Sequence, residues 1–191
     1  LYLFFDDEDV YKFVRTEYPE YWDLFQTMVP KIKQIDLFRY LAVHHYGGIY
    51  LDMDVEVYGS LDSIRKFGKN SAVFPLEKIR NTDDVLQRRG ITGLFGNYAF
   101  AAPIGSPALE AIIKAIETPS IPTSDIPDSG FKEVLYTTGP VLVTYVAYGR
   151  DDIKVLESSR YPENGFGNVA YHLRSHTWVD EASQKYIKKK I

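Results

Sequence analysis

The chain has 191 residues, with 22 basic and 26 acidic side chains for a formal net charge of −4, no cysteine, 15 Tyr and 11 Phe. That length suits one domain with a real core, and the acidic balance gives no electrostatic case for a nucleic-acid partner. Without cysteine there is neither a disulfide framework nor a thiolate zinc site, and no uninterrupted run of about 18 apolar residues is present to cross a membrane.

In chain order, residues 1–5 (LYLFF) read as a short buried strand, too short and too quickly followed by acids to be a signal peptide. Asp6, Asp7, Glu8 and Asp9 favour a helix N-terminus, with Val10, Phe13 and Val14 on its apolar side. Pro19 breaks that helix, residues 20–28 form a second, and Pro30 precedes a third that starts near Lys31. Ile35, Phe38, Leu41 and Ala42 give the third helix one apolar face, and Gly47 and Gly48 stop it. His44 and His45 lie near its C-terminus, where positive charge is favourable.

Ile49, Tyr50 and Leu51 then read as a central strand, from which Asp52 and Asp54 emerge. Strand alternation predicts both carboxylates on one side and Met53 in the packing. Two such carboxylates repel unless a cation lies between them, and a hard divalent ion, Mn2+ or Mg2+, shared with phosphate oxygens answers that need. Asp36 and Arg39 share a face of the preceding helix and reach the same pocket. Alone, the two strand-end acids would equally describe a turn, and the helical pair a plain ion pair. Their combination points to metal chemistry.

Residues 55–57 continue the strand, residues 61–67 form a short helix, and residues 71–75 form another strand. The charged residues 76–89 read as a surface insertion, either a flap over the site or a solvated loop. Residues 94–102 are apolar except at Asn97, and a Gly- and Pro-containing turn leads to a helix over residues 108–117 with Leu109, Ile112, Ile113 and Ile116 in one stripe. Residues 118–130 are loop. Thr138, Gly139 and Pro140 start an apolar helix through residue 148, with Thr138 as its cap. A strand at residues 153–156, an aromatic loop at 160–166, and His172 and Trp178 follow, before a basic end. The alternation of strands and helices predicts an α/β protein with its site at the carboxyl ends of the strands.

The DLFRY of residues 36–40 and the HYGGIYLDMD of residues 45–54 resemble the signature of glycosyltransferase family 32. These are DXD-containing sugar transferases that include fungal mannosyltransferases and mannosyl-inositolphosphoceramide synthase subunits. The resemblance implies a single catalytic domain over residues 1–191 with the GT-A fold: a mixed central sheet, helices on both faces, and the first N-terminal strand absent or cut away. Residues 179–191 would then be a basic tail. It further implies that Asp54 binds Mn2+ or Mg2+ directly and that Asp52 binds it through water or holds the ribose and sugar. Asp36 would meet sugar hydroxyls, and Arg39 would bridge sugar and phosphate. Tyr50, Asn97, Thr138, Gly139 and Trp178 would contact donor or acceptor. His172, six residues before Trp178, would be the third metal ligand; His176 stands where a serine is common. The implied partners are a nucleotide sugar (GDP-mannose, UDP-glucose or UDP-galactose) and a glycan or lipid acceptor. Transfer would retain the anomeric configuration, in the Golgi lumen if an upstream anchor exists and otherwise in the cytoplasm. The readings that compete are a binding module that holds a nucleotide sugar without turnover, and a nucleotidyltransferase or phosphohydrolase, which would gather more acids and leave Asp36 and Arg39 unexplained.

Overall fold

Eight consecutive residues, 36–43, are buried in a single helix, and the rest of the molecule is arranged around them. The computed structural model describes residues 1–78, 84–128 and 130–174. Helix α1 (Asp7–Glu17) starts at a capping box, in which the Asp6 side chain accepts from Asp9 N–H and the Asp9 side chain accepts from Asp6 N–H. A 3-10 turn at Pro19–Tyr21 leads to α2 (Trp22–Thr27) and then to α3 (Lys31–Tyr46). Because α3 packs against α1, α2 and the later helices as well as the sheet, it is enclosed on every side and has no single apolar face. That enclosure is why its polar residues, Gln34, Asp36 and Arg39, are buried too. Residues 1–5 differ from expectation. They form no strand, Leu1, Tyr2 and Phe4 are exposed, and Phe5 docks edge-on against Phe13 and Phe38.

Gly47 ends α3 with φ +65°, and a Cβ there would sit 3.0 Å from both Ile104 Cγ1 and Ile104 N, so only glycine fits. Strand β1 (Gly48–Leu51) follows, then β2 (Val55–Val57), α4 (Asp62–Phe67) and β3 (Ala72–Lys78). Next come α5 (Asp84–Gln87), β4 (Gly93–Phe95), β5 (Ala99–Ala102) and α6 (Pro107–Glu117), the last capped by the Ser106 hydroxyl. Helices α7 (Gly130–Thr137) and α8 (Pro140–Ala147) lead to β6 (Ile153–Leu156), β7 (Gly165–Phe166) and β8 (Ala170–His172). The charged stretch after residue 75 is less of a surface insertion than its composition implies. β3 runs through its first residues and α5 buries Val85 and Leu86; residues 79–83 lie outside the described residues.

The main sheet has the order β1-β5-β3-β4, with β6 parallel to β3 and the other pairings antiparallel. Alternation sorts its residues cleanly between two cores. Tyr50, Ala72, Phe74, Phe100 and Ala102 face the layer of α3, α6 and α8, whereas Ile49, Leu51, Val73, Ala99 and Ala101 face Ile64 of α4 and Phe166 and Ala170 of the small sheet. That small sheet, β2-β8-β7, is antiparallel throughout and covers the second face together with α4. The result is the mixed α/β architecture of the GT-A kind. Among the described residues no helix is long and apolar enough to cross a membrane.

Candidate active site

Tyr50 points to the helical layer, so Asp52, two residues on, points the same way and meets α3. Strand β1 stops at Leu51. The Asp52 N–H still donates to the Tyr98 carbonyl (2.7 Å), and the Val55 N–H then donates back to the Asp52 carbonyl (3.0 Å), closing a turn over residues 52–55. This corrects the strand alternation expected for Asp52, Met53 and Asp54. Met53 sits at the tip of the turn, 95% exposed, instead of in the packing. The turn brings the two carboxylates together where a strand had been expected to do so.

The third member comes from the small sheet. β2 pairs with β8 in the register Val55↔His172, and the Leu173 N–H donates to the Asp54 carbonyl (2.8 Å). Asn164 holds the His172 backbone from the other side: its carbonyl accepts from His172 N–H (2.9 Å) and its side-chain amide donates to the His172 carbonyl (2.7 Å). His172 Nε2 then lies 3.1 Å from Asp54 Oδ1. One ligand atom from each of Asp52, Asp54 and His172 falls within 4.8 Å of the others. Burial lowers the imidazole pKa against the opposing pull of Asp54, which keeps it neutral with a lone pair to offer.

Beside this cluster lies a buried network. Arg39 Nη2 meets Asp36 Oδ1 at 3.0 Å, and Nη1 meets Asp52 Oδ1 at 3.3 Å. Nη1 also donates to the Asn97 carbonyl (2.9 Å), and the guanidinium lies over the Tyr50 ring. Burial opposes the Arg39 charge, but Asp52, Tyr50 and Asp36 outweigh it and its pKa is raised. Tyr50 Oη donates to Asp52 Oδ1 (2.6 Å). Asp36 is 3% exposed and both its oxygens are engaged: Oδ2 accepts from Thr138 Oγ1 (2.7 Å) and Oδ1 from Asn97 Nδ2 (3.2 Å). Burial pushes its carboxyl up to about 6 although Arg39 and Thr138 pull it down. Thr138 therefore does not cap α8 as expected. Gly139 is the N-cap, without a side-chain bond, and a Cβ there would come within 2.9 Å of Leu135 Cα.

The structure thus brings Asp36, Arg39, Tyr50, Asp52, Asp54, Asn97, Thr138 and His172 into one region. Trp178, His176 and the basic tail lie outside the described residues. Sequence reasoning passed over Tyr40, Tyr98 and Asn164. Tyr40 Oη donates to the Thr138 carbonyl (2.9 Å) and accepts from Asn97, and the Tyr98 ring stacks on His172 with centroids 4.4 Å apart. Tyr40 and Tyr98 directly follow Arg39 and Asn97, and Asn164 lies eight residues before His172, but each looks like an ordinary core aromatic or turn amide.

These residues fit a hard divalent cation. Two carboxylates and a neutral imidazole converge, and the His172 Nδ1 is buried without a hydrogen-bond partner among the described residues, leaving Nε2 as the nitrogen turned to the acids. Carboxylate oxygens and an imidazole nitrogen are the donor set that such an ion takes.

Residues 1–70 match the family model described as the glycosyltransferase sugar-binding region containing the DXD motif. The mannosyl phosphorylinositol ceramide synthase SUR1 of Saccharomyces cerevisiae is 36% identical over 35% of this chain and 17% of its own length. Inositol phosphoceramide mannosyltransferase 2 of Schizosaccharomyces pombe is 24% identical over 76% of this chain and 36% of its own. The chain thus spans well under half the length of these curated relatives. In three dimensions it is similar to the ligand-free glycosyltransferase domain of the YGT toxin, with a TM-score of 0.52 and 12% identity over 96% of this chain and 57% of that one. The first 70 residues are thus similar to the DXD-containing sugar-binding region of glycosyltransferases, and the fold is similar to that of a glycosyltransferase domain.

Proposed function

We propose that this chain transfers a hexose from a nucleotide diphosphate sugar to a glycan or lipid acceptor, with a divalent cation, Mn2+ or Mg2+, held by Asp52, Asp54 and His172. The observation that carries this reading is the meeting of those three side chains within 4.8 Å, with Asp52 in direct contact with a braced guanidinium. A cation bound there supplies Lewis-acid stabilisation of the negative charge that gathers on the departing diphosphate.

The protein's own groups divide the remaining work. Asp54 and His172 hold the ion most directly. Asp52 is tied to Tyr50 through Oδ1 and to Arg39 through both oxygens, so it couples the ion to the buried network and offers its remaining lone pairs to the ion or to ribose. Asp36, enclosed by Arg39, Thr138 and Asn97, acts on the donor chiefly by holding Arg39 beside the phosphates; this refines the direct contact with sugar hydroxyls that the motif implies. Arg39 needs no rearrangement to present positive charge, which is how preorganised sites lower a barrier. Asn97, Thr138, Gly139 and Trp178 would contact the donor or the acceptor, as the family resemblance implies. Retention of the anomeric configuration follows the family resemblance.

The two fungal relatives are by name a mannosyl phosphorylinositol ceramide synthase and an inositol phosphoceramide mannosyltransferase, which puts GDP-mannose first among donors and an inositol phosphoceramide first among lipid acceptors. UDP-glucose and UDP-galactose come next. The test is release of nucleoside diphosphate from a panel of these donors with Mn2+, with and without acceptor. Release from one donor, abolished by EDTA, is the expected result. Binding of a donor with no release from any of them would overturn the catalytic reading in favour of a nucleotide-sugar-binding module.

A further inference from the structure

A histidine that ligates a metal usually has its second ring nitrogen fixed by a hydrogen bond to a carboxylate or carbonyl, which sets the ring's orientation. His172 has none: Nδ1 is buried and unpartnered among the described residues. Its backbone is held by Asn164 and β2, but that leaves the ring's plane to be fixed by something else. Tyr98 is the group in place to do it. Its ring lies parallel to the imidazole, with centroids 4.4 Å apart and planes 16° from each other. It is 3% exposed, and its hydroxyl has no hydrogen-bond partner among the described residues, so the ring and not the hydroxyl makes the contact. The same residue reaches the other half of the cluster, since its carbonyl accepts the Asp52 N–H at 2.7 Å and so starts the turn that carries Asp52 and Asp54.

We propose that Tyr98 is a positioning residue for the metal site: its backbone sets the acid turn and its ring face sets the plane of His172, replacing the missing hydrogen bond at Nδ1. This rests on the reading of Asp52, Asp54 and His172 as the cation's ligands. A planar neighbour at stacking distance restricts rotation about the imidazole's side-chain torsions, and a buried tyrosine has little rotamer freedom of its own. The proposal therefore separates ring from hydroxyl. Tyr98→Phe keeps the stack and removes an unpaired buried hydroxyl, whereas Tyr98→Leu fills much of the space and removes the planar face.

The test is direct titration of the metal-free protein with Mn2+, reading free Mn2+ by electron paramagnetic resonance, with circular dichroism melts to establish folding. Tyr98→Phe is expected to keep the Mn2+ affinity within about twofold, and Tyr98→Leu to weaken it about tenfold or more, the scale seen for groups that orient a ligand. A tenfold loss in Tyr98→Phe would overturn the proposal by assigning the effect to the hydroxyl, and this arm stands even if Tyr98→Leu does not fold. Unchanged affinity in a folded Tyr98→Leu would overturn it as well. His172→Ala distinguishes the two levels: if it leaves Mn2+ affinity unchanged, the ligand set itself is wrong. If it weakens binding while Tyr98→Leu does not, only the positioning role fails.

Discussion

Two clusters of acids, joined at Asp52, differ in how their polar atoms are satisfied. Around Asp36 the protein supplies nearly everything: Arg39, Thr138 and Asn97 donate to one carboxylate, and Tyr40 links Asn97 to the Thr138 carbonyl. Around Asp54, two carboxylates and a neutral imidazole face one another, with the side chains of Asp54 and His172 still 22% and 16% exposed. The first arrangement resembles a core that happens to be polar, and the second a set of metal-ligating atoms within reach of solvent. Substitutions in the first cluster should therefore act on the fold as well as on the donor, and those in the second mainly on ligand binding.

The strongest way to break that contrast is Arg39→Met. It strands Asp36 in the interior with its charge uncompensated, a change that costs about 3–5 kcal/mol in comparable buried pairs. Urea denaturation should show a fall in midpoint of that scale, with Asp36→Asn/Arg39→Met recovering part of it, because the orphaned charge is then gone. A near-wild-type midpoint for Arg39→Met alone would mean that the network contributes little to the fold.

Asp54→Asn is the converse. The side chain keeps its shape and lies at the surface of a turn, so the melting temperature should move by only a few degrees. Nucleoside diphosphate release with Mn2+ should fall about 100-fold or more, as when a group that stabilises charge in a transition state is lost. Full activity of the variant in EDTA would end the metal reading.

A smaller effect sharpens the boundary between the clusters. Glu77 on β3 faces Arg174, two residues past His172, at 3.6 Å. Burial raises its carboxyl to about 7 against the lowering pull of Arg174. Since the folded value lies above that of the unfolded chain, the folded protein holds this proton more tightly, and the associated stability is full below about pH 4.5 and lost as pH rises through about 7. The wild type should accordingly lose on the order of 2 kcal/mol relative to Glu77→Gln across that window. Denaturant midpoints of the two proteins at pH 4.5 and pH 7.5 check it; parallel curves would show that Glu77 is not buried enough to matter.

How much of this could be read in advance depended on how local the cause was. The start of α3 near Lys31, its stop at Gly47 and the apolar stripe of α6 follow from spacing and from one positive φ, and all three are legible in the residues themselves. The grouping of Asp36, Arg39, Asp52 and Asp54 was legible because they fall within 19 consecutive residues of one helix–strand unit. What was not legible came from elsewhere in the chain. Residues 1–5 look like a strand, yet they pair with none of the described strands and lie exposed except at Phe5. Thr138 looks like a helix cap, yet Asp36, 102 residues away, takes its hydroxyl. Tyr98 looks like core, and its stacking on His172 exists only because β8 crosses to pair with β2.

The smallest prediction concerns the residue between the two acids. If a continuous strand carried residues 52–54, Met53 would be packed, and Met53→Ala would cost about 2–5 kcal/mol as other buried methionines do. In the turn that the structure shows, its side chain is 95% exposed and touches neither cluster, so the cost should stay within about 0.5 kcal/mol. Mn2+ affinity should not change either, because the backbone bonds from Asp52 N–H to Tyr98 and from Val55 N–H to Asp52 shape the turn whatever side chain sits at its tip. Met53→Pro separates backbone from side chain: a proline there constrains φ at Met53 and ψ at Asp52, and it should disturb metal binding where alanine does not. A large loss of stability in Met53→Ala would restore the strand, and with it a different explanation of why the two carboxylates face the same way.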